Sequence, residues 1–395
     1  MVESNITFDF FDQIHNRKNT ASVKHDIIPQ GADKDKLIPM WVADMDFKTP
    51  PAVEKALTEV ASHGIYGYTM ADEAYKNALV NWCKKRYNWQ ISTHWNTPTP
   101  GVMFAVSAAV RALTKPLESV LICQPVYHPF ANTIKANNRK VVISELKLLN
   151  GRYEIDWADF EKQIIKNQVK LFILCSPHNP VGRVWTLAEL KKIGEICLKH
   201  NVYVIADEIH ADFVYSGHQH IPFASISEDL ANITITCTSP SKTFNLAGLQ
   251  VANILISNEE IREKFQTECI ITGYGNLNIM AFAAAKAAYT QGEEWLDTML
   301  AYLEDNIKLL AAAFGSENSP IKLIKPEGTY LMWLDCRSLG LTQEELEKLF
   351  LEKAGLWLNS GTIFGKGGEG FMRMNIACPK AILETAISRL QAVIK

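Results

Sequence analysis

No two cysteines in this chain share a Cys-x-x-Cys spacing, no block of like charge interrupts it, and no apolar run approaches the length of a membrane span. Each absence removes a class of function. The eight cysteines (83, 123, 175, 197, 237, 269, 336 and 378) lie far apart, mostly in apolar contexts such as Leu121-Ile-Cys123. They read as reduced core residues of a cytoplasmic protein, because neither a disulfide frame nor a zinc site is built from such spacings. A formal net charge of -3 leaves no concentrated basic surface for nucleic acid. The most apolar helical stretch, 279–289, is too short for a span and carries Lys286, so no membrane association is expected. The opening residues Met1 to Asp9 put no basic residue ahead of an apolar run, and no secretory signal is expected from them. Low-complexity tracts and short repeats are also missing. Gly365-Lys-Gly-Gly-Glu-Gly370 has G-x-G-x-x-G spacing, but a strand rather than a helix is expected after it, so it reads as a loop and not a dinucleotide site. His218 and His220, in a Gly-containing polar stretch, read as a surface loop rather than as metal ligands.

What is present is a long chain of ordinary globular composition, 395 residues and 47% hydrophobic, enough for two or three domains. Short, near-continuous apolar runs at 119–123, 141–144, 170–175, 202–206, 233–237 and 252–256 predict strands buried on both faces, the mark of a mainly parallel sheet. Between them lie helical stretches such as 186–200, with Leu187, Leu190, Ile193, Ile196 and Cys197 on one face. The fold class is therefore α/β, with helices on both faces of the sheet. A long helix is expected over 293–314, then a smaller α+β module. In that module the strands 330–334 and 371–376 flank a helix at 343–353, and 380–394 closes the chain. The expected division is an N-terminal arm with part of the small domain at 1–47, a large domain at 48–288 and a small domain at 289–395.

The chemistry-bearing residues fall where an α/β sheet binds ligands, at the carboxyl ends of strands. Lys242 follows the 233–237 strand within Ser239-Pro-Ser-Lys242, so an amine and the hydroxyls of Ser239 and Ser241 share one tight turn. A lysine so placed can form a Schiff base with an aldehyde cofactor while a neighbouring hydroxyl binds its phosphate. Asp207 ends the 202–206 strand, where a buried carboxylate needs a cationic or hydrogen-bonding partner such as a pyridinium nitrogen. A metal cluster of Asp207, Glu208, His210 and Asp212 is the rival reading. Alternation along an extended segment sends Asp207 and Glu208 to opposite faces, which disfavours a shared ion. Asn179, in Cys175-Ser-Pro-His-Asn-Pro-Val-Gly182, is held by two prolines and can donate to a cofactor's phenolate oxygen, or simply form the turn. Gly101, ahead of a helix start, frees backbone N–H groups for a phosphate. Tyr127 can lie against an aromatic cofactor or sit in the core. Arg373, in the apolar strand Phe371-Met-Arg-Met-Asn-Ile376, needs an anion, either a substrate carboxylate or a structural acid.

Several strings carry a resemblance over nearly the whole chain: Trp41-Val-Ala-Asp-Met-Asp-Phe47, Tyr66-Gly-Tyr-Thr69, Pro125-Val-Tyr-His-Pro-Phe130, Cys175-Ser-Pro-His-Asn-Pro-Val-Gly-Arg-Val-Trp185, Asp207-Glu-Ile-His-Ala-Asp212 and Pro240-Ser-Lys-Thr-Phe-Asn-Leu-Ala-Gly248. In these the chain resembles the fold-type I pyridoxal 5'-phosphate (PLP) enzymes of the aspartate aminotransferase superfamily, and within them the cystathionine β-lyase-like C–S lyases. The resemblance implies a homodimer in which Tyr68 of one subunit reaches the cofactor phosphate of the other. It implies that Val102, Met103 and Ser239 hold the phosphate, that Tyr127 stacks on the ring, and that Asp207 pairs with the pyridine nitrogen. It places Asn179 and His210 near the phenolate oxygen, Lys242 on the cofactor aldehyde, and Arg373 with Ala43 on the substrate. Where many aminotransferases carry an arginine eight residues after that lysine, this chain has Gln250, which fits the lyase subgroup better. The implied reaction is α,β-elimination on L-cystathionine or another S-substituted cysteine, giving a thiol, pyruvate and ammonia. A related aminotransferase is the alternative, and a regulator acting through a protein partner is a reading of another class.

Overall fold

Buried apolar runs in the middle of the chain become the strands of one eight-stranded sheet in the computed structural model. The structure describes residues 6–316 and 318–394; residues 1–5, part of the stretch read for a secretory signal and of the expected N-terminal arm, lie outside it. The strands are β1 (Ile38–Pro39), β2 (Asn96–Thr99), β3 (Ser119–Gln124), β4 (Lys140–Leu149), β5 (Arg152–Ile155), β6 (Leu171–Cys175), β7 (Tyr203–Asp207), β8 (Thr234–Thr238), β9 (Ala252–Leu255), β10 (Lys322–Leu323), β11 (Leu331–Asp335), β12 (Leu356–Trp357), β13 (Asn359–Ser360) and β14 (Phe371–Asn375). The large sheet has the order β2-β9-β8-β7-β6-β3-β4-β5. From β8 to β4 the strands are parallel, so their carboxyl ends share one edge. Three strands run antiparallel to their neighbours: β9 beside β8, β2 beside β9 and β5 beside β4.

Every residue of β6 is buried, as its unbroken apolar run predicts. Successive side chains feed two cores on opposite faces. Phe172 and Leu174 join Phe160, Leu190 and Val204 on one side, while Ile173 joins Ala105, Ala109, Ile205 and Phe265 on the other. The helix expected at 186–200 spans Leu187–Lys199, with the Thr186 hydroxyl and the Glu189 carboxylate closing a capping box. Sequence periodicity did not reveal β1, β2, β5, β10, β12 or β13. Each is short and paired at a sheet margin, so its pattern is too brief to stand out as a buried apolar run or as alternation.

The C-terminal part is built as expected around the helix Glu293–Phe314. A four-stranded antiparallel sheet of order β10-β11-β14-β13 packs beside it. Asn306, a polar residue buried on that helix, donates to the carbonyls of Ile376 and Cys378, both at 3.0 Å, and so fixes the chain leaving β14. The early strand β1 pairs in parallel with β12, joining the N-terminal segment to this late part of the chain. The expected helix at 343–353 is two pieces, Gln343–Lys348 followed by a wider π turn at Leu349–Lys353. The 365–370 glycines form a loop followed by β14, as read from sequence. They are required by close approach: a Cβ on Gly368 would collide with the carbonyl of Gly361, and Gly365 has φ +123°. Among the described residues no helix is long and apolar enough to cross a membrane.

Candidate active site

The carboxyl ends of β3, β6, β7 and β8 open onto a cavity of about 260 Å3. It is lined by Ala43, Gly101, Val102, Met103, Tyr127, Asn179, Asp207, His210, Ser239, Ser241 and Lys242. Lys242 and Ala43, 199 positions apart in sequence, thus meet at one strand-end cleft, where open α/β sheets bind ligands.

The Lys242 turn is fixed from below. Ser239 caps it by accepting from the Ser241 N–H at 3.0 Å, and the two hydroxyls donate to the Val251 carbonyl at 2.6 and 3.2 Å. Lys242 Nζ donates to the carbonyl of Ala43, which also accepts from Tyr330 OH at 2.9 Å. Burial disfavours the ammonium and lowers the Lys242 pKa from 10.5 to about 8, against the opposing pull of Asp44. Asp207, 4% exposed, receives one donor, the Ile209 N–H at 3.2 Å. Its pKa is raised to about 7, chiefly by burial. Glu208 points the other way, as alternation predicts: it accepts from the Phe223 N–H at 2.8 Å and pairs with His220 Nε2 at 3.1 Å. His220 is therefore a buried residue, 4% exposed, and the expectation of a surface loop there fails. The paired carboxylate draws the ring inward, which its polar neighbours in sequence concealed. No metal-binding group of three or more His, Cys, Asp or Glu occurs among the described residues. His210 lines the cavity as a neutral imidazole, its pKa lowered to about 3 by burial and by the nearby Lys242 and Arg373.

Arg373 lies behind Asn179. Its Nη1 donates to Asn179 Oδ1 at 3.0 Å, and its Nη2 to the Trp41 carbonyl at 2.8 Å and to Asn359 Oδ1. Nε has no partner, the side chain is buried, and no described carboxylate lies within ion-pair distance of it. A structural salt bridge, one of the two readings open from sequence, is absent among the described residues. Burial without a counter-charge lowers the Arg373 pKa to about 10. Tyr68 does not reach this cavity within the chain; it is fully exposed on the segment before the helix Glu73–Tyr87. Gln250 does line it, at the end where the helix Val102–Leu113 begins.

The strap 41–47 and its Ala43 were named through the resemblance, but sequence reasoning missed how the strap is held, its carbonyls being taken up in turn. Asn375 donates to Val42 and Asp44, and Asn245 to Met45 and Phe47. The period of two between Arg373 and Asn375 in an otherwise apolar strand was the available signal. A second cavity, of about 840 Å3, lies across Ala43 and Lys242 and is walled by this strap and by residues 14–17.

PLP fits these residues on three counts. The site offers a poorly satisfied buried carboxylate for a cationic ring nitrogen and a lysine with a depressed pKa for an aldehyde. A helix start is available for a phosphate, beside two serine hydroxyls that in this structure donate to the Val251 carbonyl.

Comparison with known proteins agrees. Residues 35–390 match the family described as aminotransferase class I and II. The chain is 43% identical to cystathionine beta-lyase PatB of Bacillus subtilis (strain 168), over 97% of this chain and 99% of that protein. A PLP-bound putative aminotransferase from Clostridium difficile 630 superposes with a TM-score of 0.94 at 44% identity, covering 98% of this chain and 99% of that one. Cystalysin from Treponema denticola, whose structure contains a PLP cofactor, superposes at 0.93 with 38% identity, covering 97% and 98%. The chain belongs to the aminotransferase class I and II family.

Proposed function

We propose that this protein is a PLP-dependent C–S β-lyase acting on L-cystathionine or a related S-substituted cysteine. The observation that carries the reading is the meeting of Lys242, Asp207 and Asn179 on one cavity, with a buried Arg373 behind Asn179 that has no acid partner among the described residues. The choice of lyase is supported by 43% identity to a cystathionine beta-lyase and by Gln250 in place of a further cation.

When bound, the cofactor supplies an aldehyde for covalent attachment to amines and a cationic ring that accepts electron density from the substrate's α-carbon. Lys242 holds the aldehyde. The N–H groups of Val102 and Met103 after Gly101, with the Ser239 and Ser241 hydroxyls, hold the phosphate. Asp207 keeps the ring nitrogen protonated, Asn179 and His210 face the phenolate oxygen, and Tyr127 forms one wall. Arg373, with the Ala43 backbone, orients the substrate α-carboxylate. The substrate amine would take the place of Lys242 on the aldehyde, and the freed Lys242 amine would serve as the base that takes the α-proton, its lowered pKa raising the fraction able to do so near neutrality. The C–S bond breaks with both electrons leaving on sulfur as a thiolate, which becomes a thiol by taking up the proton that Lys242 removed. Addition of one water to the remaining fragment yields pyruvate and ammonia.

The test is pyruvate release from L-cystathionine by the PLP-loaded enzyme, measured beside keto-acid-dependent amino transfer. Transfer without pyruvate release would move the assignment to an aminotransferase, the reading favoured by the 44% identical putative aminotransferase structure.

A further inference from the structure

The loop that follows β7 carries two acids that do not face the cavity, Glu208 and Asp212. Glu208 is accounted for by His220 and the Phe223 N–H. Asp212 is buried, 7% exposed, and does not line the cavity of Lys242. Its two carboxylate oxygens each accept one short bond: Oδ2 from Thr243 Oγ1 at 2.6 Å and Oδ1 from Tyr87 OH at 2.6 Å. Thr243 is also buried, and it is the residue next to Lys242 on the single turn Pro240–Thr243. A turn this short has almost no internal hydrogen bonding to hold its own direction. On its other side it is tied to Val251 by Ser239 and Ser241. The bond from Thr243 to Asp212 is therefore the tie that joins the lysine turn to the loop bearing Asp207 and His210.

We propose that Asp212 and Thr243 are positioning residues that fix the direction of the Lys242 amine relative to Asp207 by locking the lysine turn to the β7 loop. A charge-assisted hydrogen bond between buried partners is short and strongly directional, so it limits the swing of the turn on which the amine is carried. The charge stays buried because the Tyr87 hydroxyl satisfies the second oxygen, and Arg86 Nε lies 3.9 Å away. The proposal rests on the reading of Lys242 as the cofactor-bearing lysine. Borohydride labelling of the PLP-loaded wild type tests that reading separately.

The experiment compares Thr243→Val, Thr243→Ala, Thr243→Ser and Tyr87→Phe. Three readouts are taken: the pH profile of Lys242 acylation in cofactor-free protein, the pH titration of the visible band after PLP loading, and kcat and KM for L-cystathionine. Loss of the hydroxyl in Thr243→Val or Thr243→Ala is expected to displace both pH profiles. It should also lower kcat about tenfold or more with little change in KM, because a small misplacement of a reacting group costs rate rather than binding. Thr243→Ser keeps the donor and should restore all three. Tyr87→Phe removes the other half of the network but leaves Thr243 bonded to Asp212; it should lower the melting temperature and move the lysine profiles less than Thr243→Val does. Wild-type profiles and kcat in a folded, PLP-loaded Thr243→Val or Thr243→Ala protein would overturn the proposal. Equal displacement by Tyr87→Phe would also overturn it, showing a general loss of stability.

Discussion

At the scale of single residues, the site is organised by burial acting on charge. The amine of Lys242 and the carboxyl of Asp207 are shifted towards each other, to about 8 and about 7, because each sits where its charged form is poorly solvated. In cofactor-free protein, acylation of Lys242 followed by peptide mass spectrometry should therefore rise through about pH 8. A midpoint above pH 10 would remove the burial argument. For Asp207, the folded-state pKa exceeds the unfolded one, so between the two the folded state binds more protons and stability falls as pH rises. Cofactor-free Asp207→Asn should lose that decline over roughly pH 4–7 in thermal melts, while its PLP-loaded turnover should fall by at least about a hundredfold. Arg373 presents the opposite case, a cation kept buried with a free Nε and no acid partner among the described residues. If a substrate carboxylate completes it, Arg373→Ala should cost about 3–5 kcal/mol, a fall of roughly two to four orders of magnitude in kcat/KM. An analogue with a neutral group in place of the carboxylate should lose far less, and Arg373→Lys should not recover full activity without the planar fork. Equal losses on both substrates would make Arg373 structural.

At the scale of elements, packing overrides local preference in ways that can be measured. The helix Leu187–Lys199 contains Gly194, which on propensity alone invites alanine. A Cβ there would lie 2.6 Å from Leu230 Cδ2, on the short helix Glu228–Asn232 that crosses it. Gly194→Ala should thus destabilise by about 1–3 kcal/mol by chemical denaturation, where an exposed glycine would have gained. A gain in stability would mean the two helices separate at little cost. The elements that hold the site were partly legible. Asp207, Asn179 and Lys242 could be read because each ends or follows an apolar strand, a local signal. The anchors Tyr330 and Asn245 could not, since they meet the strap 287 and 200 residues away in sequence.

At the scale of the whole molecule, the segment before the helix Glu73–Tyr87 exposes a run of apolar side chains. Ile65, Tyr66, Tyr68 and Met70 are 67%, 59%, 104% and 77% exposed along one segment, a density of exposed apolar side chains that marks contact surfaces. We propose that a second copy covers this segment and that its Tyr68 completes the phosphate end, where Gln250 supplies no charge. Sedimentation should give a dimer, and Tyr68→Ala should weaken PLP binding more than it weakens folding. A fully active monomer would refute this. We also propose that 1–47 and 289–395 form one unit around 48–288, supported by the pairing of Ile38 with Leu356.

Legible from the residues alone were the α/β class, the strand-end placement of the lysine and the opposite facing of Asp207, at the end of β7, and Glu208 after it. These follow from apolar run length and from alternation, both local properties of the chain. Packing alone showed that Arg373 has no acid partner among the described residues, that His220 is buried against Glu208, and that Thr243 is tied to Asp212. A buried polar group is satisfied by whatever the fold brings within about 3 Å, and that is set by the packing of distant elements rather than by neighbours in sequence.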